Sequence, residues 1–169
     1  IEKVFDNYMP DVIGISLMSV KHLNGAMYVS KKLHKKGVPI IWGGPFCDIA
    51  DTNIILNYKY VNCISFCEGE ETWIDIVQSL EKGEGFDNIK GIAFRNAEGK
   101  IIVNPEREFV DLTALPMLDY SLVDVKAYSQ YLYGCKNLMY VYLSKGCPSK
   151  CTFCANQITH RCTYRRPSL

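Results

Sequence analysis

Short apolar segments alternate with amphipathic helical segments along the first half of the chain, and this alternation limits the fold more than any other feature. Buried strands are indicated at residues 11–17, 38–42 and 61–66. Helical spacing of apolar residues is found at 22–36 and 70–81. Strands that alternate with helices in this way predict an α/β domain with a Rossmann-like, doubly wound parallel sheet. In the helix at 70–81, the spacing predicts that Trp73, Ile74, Val77 and Leu80 face this sheet.

Small or polar loops follow each of the three predicted strands. They are Ser16–Ser19, Gly43-Gly44-Pro45 and Glu68-Gly69-Glu70. Doubly wound sheets bind ligands beyond the carboxyl ends of their strands, so these loops could form a ligand rim. Glycine and serine also simply make turns, and both interpretations stay open at this point.

The second half of the chain has a different pattern. Residues 91–103 predict a β-hairpin around the turn at 96–99. A polar, proline-containing connector follows at 104–120, and a new apolar strand is expected at 138–143. We therefore divide the chain into a Rossmann-like domain (1–88), a hairpin and connector (89–137), and the start of a further domain (138–169).

The chain has eight cysteines among 169 residues and no signal peptide, so metal binding or catalysis is favoured over a disulfide framework. Cys147, Cys151 and Cys154 follow the last predicted strand with the spacing C-x3-C-x2-C. Thiolates at this spacing suit zinc or an iron–sulfur centre. A zinc site would take Cys162 or Cys135 as its fourth ligand. His160 could reach this loop, although a surface histidine is the simpler interpretation.

The segment KGCPSKCTFC resembles the signature of the radical S-adenosylmethionine (SAM) superfamily. The resemblance implies that Cys147, Cys151 and Cys154 hold three irons of a [4Fe–4S] cluster and that the fourth iron binds SAM. It also implies that Phe153 lies near the adenine and that the segment begins a radical SAM (β/α) barrel. Cys135 and Cys162 are then expected to be inert thiols.

The segments before the triad resemble the cobalamin-binding group of radical SAM proteins, through PDVIGISLMS, VPIIWGGPF, EGEET and LPMLDYSLVD. This resemblance implies that Ser16 and Ser19 lie near the nucleotide tail of cobalamin. It implies that Gly43 and Gly44 let the backbone approach that tail, and that Glu68, Gly69 and Glu70 form the acidic turn that opens the next helix.

Two departures from that group are visible. Cys67 replaces the first glycine of the usual Gly-Glu-Gly-Glu turn, and cysteine tolerates a positive φ less well. No Asp-x-His-x-x-Gly motif is present, so the chain offers no lower-ligand histidine for cobalamin. Cys47, Cys63 and Cys67 raise the alternative of a second cluster, but buried structural thiols are the better interpretation.

The resemblance implies an enzyme that cleaves SAM reductively, depends on cobalamin, and methylates or oxidatively cyclises a small organic substrate. Flavodoxin or ferredoxin would donate electrons. The net charge of +1 and the lack of a long apolar segment predict a cytoplasmic protein with no nucleic-acid or membrane partner. Both ends are expected to be interruptions of a longer protein. The alternatives are a binding module with a structural zinc loop and a radical SAM enzyme whose first domain no longer binds cobalamin.

Overall fold

The computed structural model describes residues 1–128, 130–132, 135–138 and 141–168. The helices in these ranges are α1 (Glu2–Tyr8), α2 (Leu23–Leu33), α3 (Pro45–Ile49), α4 (Thr52–Asn57), α5 (Glu70–Glu81), α6 (Val125–Tyr128) and α7 (Asn156–Thr159). The strands are β1 (Ile13–Ser16), β2 (Ile40–Gly43), β3 (Cys63–Ser65), β4 (Ile92–Arg95), β5 (Ile101–Val103), β6 (Gln130–Leu132), β7 (Cys135–Leu138), β8 (Lys145–Gly146) and β9 (Tyr164–Arg165).

The main sheet has five strands in the order β1-β2-β3-β4-β5. The first three are parallel, as the alternation of strands and helices predicts. The last two are the predicted hairpin, and β4 pairs with β3 in the antiparallel direction. The predicted parallel pairing is therefore confirmed for β1, β2 and β3, but the sheet as a whole is mixed, and its strand order runs in one direction and not in the doubly wound order.

The chain after α5 explains the antiparallel pairing. Residues 82–91 return the chain to the carboxyl end of β3, where the carbonyl of Gly91 accepts the Phe66 N–H at 2.8 Å. Gly91 has φ +75° there, and a Cβ would lie 3.3 Å from the Thr72 hydroxyl at the start of α5. A strand that begins at the end where β3 finishes can only run back along it.

Each face of the sheet carries its own apolar core, so the domain has three layers. On one face, α2, α3 and α4 cover Leu17, Ile40, Trp42 and Ile64. On the other, α5 and the segment after it cover Ile41, Cys63, Ile92 and Phe94. In the first core, the Trp42 indole N–H donates to the buried Ser30 hydroxyl at 2.9 Å, which satisfies both polar groups.

The face that helix α5 turns to the sheet matches the one that the spacing predicts only in part. Thr72, Ile76 and Ser79 are the buried residues, whereas Ile74 is 54% exposed. Trp73 is 37% exposed, but its ring lies over Gly14 of β1, where a Cβ would come within 2.8 Å of it. The prediction is therefore wrong for Ile74, whereas Trp73 does face the sheet.

The remaining strands form two small antiparallel pairs, β6 with β7 and β8 with β9. The predicted strand at 138–143 falls partly outside the described residues, and residues 141–144 are not in a strand. The start of a radical SAM barrel is therefore not confirmed. Among the helices described, none is long and apolar enough to cross a bilayer.

Candidate functional site

The loops after β1 and β2 pack directly against each other. The Leu17 N–H donates to the Gly43 carbonyl at 2.8 Å, and the Phe46 N–H donates to the Leu17 carbonyl at 3.0 Å. Gly44 lies between these loops with φ +91°, and a Cβ on it would lie 2.9 Å from Oγ of Ser16. Only glycine fits here, since both the backbone conformation and the close approach exclude a side chain.

The other predicted rim residues differ in their solvent exposure. Ser16 is exposed, and Ser19 is half-buried with its hydroxyl 3.4 Å from Nδ1 of His22. The nearest atoms to a Cβ on Gly43 would be 3.8 Å away, which is ordinary contact. Gly69 is exposed and precedes the first residue of α5. The structure thus brings Ser16, Gly43 and Gly44 together at one edge of the sheet.

Cys67 has φ +56°, the left-handed conformation that glycine would adopt at this place in the turn. Its N–H donates to Oδ1 of Asp48 at 2.6 Å, and its Sγ accepts from Nη2 of Arg161 at 3.6 Å. Burial and then the Asp48 carboxylate raise the pKa of the Cys67 thiol, while Arg161 opposes them. Cys67 therefore takes a backbone conformation that favours glycine.

Cys47 and Cys63 are fully buried in the two cores, as expected for buried structural thiols, whereas Cys67 is half-buried. Burial raises the pKa of Cys47 to about 12, with a smaller contribution from Asp48, and it also raises the pKa of Cys63.

A pocket of about 390 Å³ opens between the carboxyl edge of the sheet and the cysteine-bearing segment. Asp48, Phe66 and Cys67 line it from the sheet, and Ile158 and Arg161 line it from the other side. Arg161 is paired with Glu106 at 2.8 Å. A charged, partly apolar cleft thus lies where an α/β domain binds its ligand.

The acidic turn after β3 is bound to the cysteine-bearing segment by ion pairs. The Glu68 carboxylate is 8% exposed and contacts Arg165 closely, with Nζ of Lys145 at 3.5 Å. Glu70 pairs closely with the same lysine. Partial burial opposes ionisation of Glu70, but its hydrogen bond from Lys145 and the nearby Arg165 leave its pKa below the usual value. Glu68 and Glu70 therefore join two parts of the chain.

The three cysteines of the triad lie on one loop that begins directly after β8. Cys151 is exposed, Cys147 and Cys154 are half-buried, and all three thiols are free. Hydrogen bonds from Ser149 lower the pKa of the Cys147 thiol, which favours the thiolate that a metal requires. The Phe153 ring is 92% exposed.

The donor set of this loop fits a soft metal centre, although its thiols do not converge. Across the described residues, no three histidine, cysteine, aspartate or glutamate side chains are grouped closely enough to hold a metal ion. Metal ligands on a loop commonly take up their final geometry when the metal binds. Cys162, a possible fourth ligand, is half-buried and free, and the side chain of Cys135 lies outside the described residues.

His160 lies behind the cysteine loop and is not the surface residue that the sequence favours. It is half-buried, and its Nδ1 is buried without a hydrogen-bond partner within the described part of the chain. Burial lowers its pKa, and the Glu68 carboxylate partly opposes this effect. A Cβ on Gly146, which has φ +86°, would lie 3.3 Å from its Cβ.

Sequence reasoning missed Asp48, Lys145, Arg161 and Arg165, which connect the rim to the cysteine loop. The available signal was charge, because basic residues flank the triad and two acidic residues occur in the turn after β3. The pairing of Lys145 and Arg165 with this turn was invisible, since it joins residues more than 70 positions apart along the chain.

Known proteins resemble this chain in sequence and in fold. No family profile matches it. It is 31% identical over 118 residues to the anaerobic magnesium-protoporphyrin IX monomethyl ester cyclase of Synechocystis, an alignment that covers 70% of this chain and 23% of that protein. Over the curated relatives it matches, the chain spans about a quarter to a third of their length.

Two solved structures share its fold. The cobalamin-dependent SAM radical enzyme OxsB, with aqua-cobalamin and SAM bound, superposes with a TM-score of 0.77 at 21% identity over 99% of this chain and 23% of its own. The radical SAM methyltransferase TsrM of Kitasatospora setae, with cobalamin and a [4Fe–4S] cluster bound, gives a TM-score of 0.69 at 12% identity over 99% of this chain and 35% of its own. The chain is therefore a relative of the cobalamin-binding radical SAM proteins.

Proposed function

We propose that this chain provides the cluster-binding and cobalamin-binding parts of a radical SAM enzyme that methylates or oxidatively cyclises an organic substrate. The observation that carries the proposal is the loop at 147–154, which has three free cysteines and lies between two strands whose Lys145 and Arg165 are ion-paired to Glu68 at the carboxyl edge of an α/β sheet. The relatives support it, because they include a cyclase and a radical SAM methyltransferase.

In this proposal Cys147, Cys151 and Cys154 hold a [4Fe–4S] cluster. A cluster held there, once reduced by a flavodoxin or ferredoxin, would supply one electron to the sulfonium of SAM, which would give methionine and a radical able to abstract hydrogen. Phe153 is free to stack on the adenine, because it lies within the cluster loop and its ring is 92% exposed. The chain's own task is to present three thiolates and one aromatic ring on one short loop.

The carboxyl edge of the sheet would hold cobalamin. Ser16 offers an exposed hydroxyl there, and Ser19, Gly43 and Gly44 belong to the same two loops. Gly44 allows these loops to pack without a side chain between them, which keeps the backbone open to a ligand. Gly69 and Glu70 begin α5 at the same edge, while Glu68 is directed toward Arg165.

The cluster is tested in the complete protein, reconstituted anaerobically with iron and sulfide. We expect the reduced protein to give a [4Fe–4S] EPR signal that SAM changes. Single alanine variants of Cys147, Cys151 and Cys154 lose that signal, whereas Cys162→Ala, a matched half-buried cysteine outside the triad, keeps it. A protein that holds zinc and gives no iron signal would contradict the proposal.

Cobalamin binding is tested separately by optical titration with hydroxocobalamin. We expect Gly44→Ala to weaken binding at least about tenfold, because its Cβ would force the first two loops apart. Gly37→Ala is the control, since Gly37 also has a positive φ (+78°) but no atom lies within 4 Å of its Cβ position. If the unaltered protein does not change the hydroxocobalamin spectrum, the first domain does not bind cobalamin.

A further inference from the structure

The loop that carries the three cysteines is closed at its base by the smallest strand pair of the structure. Lys145 is opposite Arg165 and Gly146 is opposite Tyr164 in this antiparallel pair. Everything from Cys147 to Thr163, including the triad, lies between these two strands. Two residues per strand give too few hydrogen bonds to fix a loop of this length, so its position depends on other contacts.

Glu68 supplies those contacts from the sheet. Its carboxylate binds Arg165 closely, lies 3.5 Å from Nζ of Lys145, and accepts the Val110 N–H at 3.2 Å. It therefore reaches both strands of the pair at the same register position. The side chain is 8% exposed, so water screens these interactions little.

The surroundings of Arg165 strengthen this arrangement. Its guanidinium donates to the Val110 carbonyl at 2.8 Å and lies 4.3 Å above the Phe109 ring. Among the described residues, Glu68 is the carboxylate that pairs with Arg165, whereas Lys145 also has Glu70. The loss of the Glu68 charge would leave a half-buried guanidinium without its counter-ion.

We propose that Glu68 is the positioning residue of the cysteine loop, which it holds against the carboxyl edge of the sheet through Lys145 and Arg165. The proposal goes beyond the cofactor role that the resemblance implies for the acidic turn, and it rests on the proposed function only for what the loop binds. Glu68 does not touch a reacting atom here. It sets where the three thiols lie relative to the rim.

The first test uses hydrogen exchange on the complete protein without added metal. Glu68→Gln keeps the shape and the hydrogen bond from Val110 but removes the charge. We expect the amides of β8 and β9 to exchange about tenfold faster, while those of β1, β2 and β3 exchange at the rate of the unaltered protein. The control is Glu106→Gln, which removes the carboxylate paired with Arg161 in the same segment but is 78% exposed. Equal exchange in the two variants would overturn the proposal.

The second test reads the metal centre spectroscopically. In reconstituted protein we expect Glu68→Gln to change the g values of the SAM-bound reduced cluster, while Glu106→Gln leaves them unchanged. If the unaltered protein forms no such cluster, the proposed function fails, but the exchange measurement still decides the role of Glu68. If Glu68→Gln does not fold, Arg165→Met carries the same exchange test, since among the described residues the carboxylate paired with Arg165 is Glu68, and Lys145 keeps Glu70. Unchanged exchange at β8 and β9 in that variant would overturn the proposal.

Discussion

Cys67 adopts a backbone conformation that costs free energy for every residue with a Cβ. Its φ of +56° lies in the left-handed region, where a non-glycine residue is destabilised by roughly 1–2 kcal/mol. Cys67→Gly removes this cost and forfeits one weak contact with Arg161. We therefore expect a gain of about 1 kcal/mol, which raises Tm by about 2–4 °C in a domain of this size.

Thermal unfolding followed by circular dichroism measures this gain. Cys63→Gly is the control, because Cys63 lies buried in the regular strand β3, where glycine weakens the strand and leaves a cavity. That variant loses stability. A lower Tm for Cys67→Gly would show instead that the contact with Arg161 outweighs the backbone cost.

Because of Cys47, the stability of the fold decreases as the pH becomes alkaline. Its pKa is raised to about 12 by burial, so the folded protein keeps the proton that the unfolded chain releases near the usual thiol pKa of 9.0. The stabilisation is complete below that unfolded pKa and is lost as pH rises toward 12. We expect the free energy of unfolding to fall by about 1 kcal/mol per pH unit for this group above pH 9.

Urea denaturation between pH 8 and about 10.5 tests this dependence. Cys47→Ala lowers stability at every pH, because it leaves a cavity, but makes its decline with pH shallower. Cys151→Ala leaves the slope unchanged, since Cys151 is exposed. The same slope in Cys47→Ala as in the unaltered protein would mean that other groups cause the alkaline loss.

At the scale of elements, the strand pair β8–β9 depends on a glycine that the sequence pattern does not single out. Gly146 has φ +86°, and a Cβ there would lie 2.2 Å from the Thr163 carbonyl oxygen. No real Cβ contact is that short, so Gly146→Ala must separate the two strands. We expect this variant to lose the protection of the β8 and β9 amides from hydrogen exchange.

Gly99→Ala is the matched control for Gly146→Ala. Gly99, in the β4–β5 turn, has φ +79°, but no atom lies within 4 Å of its Cβ position. Gly99→Ala therefore loses only the free energy of the unfavourable backbone conformation, about 1 kcal/mol, and its hairpin stays formed. If the amides of β4–β5 in Gly99→Ala lose as much protection as those of β8–β9 in Gly146→Ala, the backbone conformation of Gly146, and not its contact with Thr163, causes the loss.

Most of these elements can be predicted from the sequence. The spacing of the apolar residues and the flanking glycines correctly predict β1, β2, β3, α2, α5 and the hairpin. They do not predict that the hairpin joins the sheet antiparallel to β3, because that depends on where residues 82–91 return the chain. The facing of α5 was predicted only in part. Apolar spacing favours Trp73 and Ile74, and Trp73 does lie against β1, but Ile74 is exposed while Thr72, Ile76 and Ser79 are buried.

The candidate site also has one part that the sequence predicts and one part that it does not. The cysteine triad and the three rim loops are local patterns, and their sequence spacing alone makes them candidates. The contacts between the turn after β3 and the cysteine-bearing segment are Glu68 with Arg165, Glu70 with Lys145, and Cys67 with Arg161. Such pairs depend on tertiary packing, so single residues with ordinary sequence surroundings acquire a role only in the folded chain.

At the scale of the whole molecule, the two cores share one sheet, so we expect them to unfold together. The two tryptophans of the chain report the two faces separately. Trp42 is buried in the core under α2, and Trp73 on α5 covers β1 from the other face. Variants that keep one tryptophan, Trp73→Phe and Trp42→Phe, therefore give one fluorescence signal for each layer.

Ile76→Ala applies the test of cooperativity to the smaller core. Ile76 is fully buried between α5 and the sheet, and its truncation costs about 2–5 kcal/mol. Ile74→Ala on the same helix is the control, since Ile74 is 54% exposed and its truncation costs about 0.5 kcal/mol or less. In urea, Ile76→Ala lowers the unfolding midpoint by the same amount at both tryptophans, because loss of either layer removes the support of the shared strands. A shift seen at Trp73 alone would mean that the α5 layer unfolds independently of the layer around Trp42.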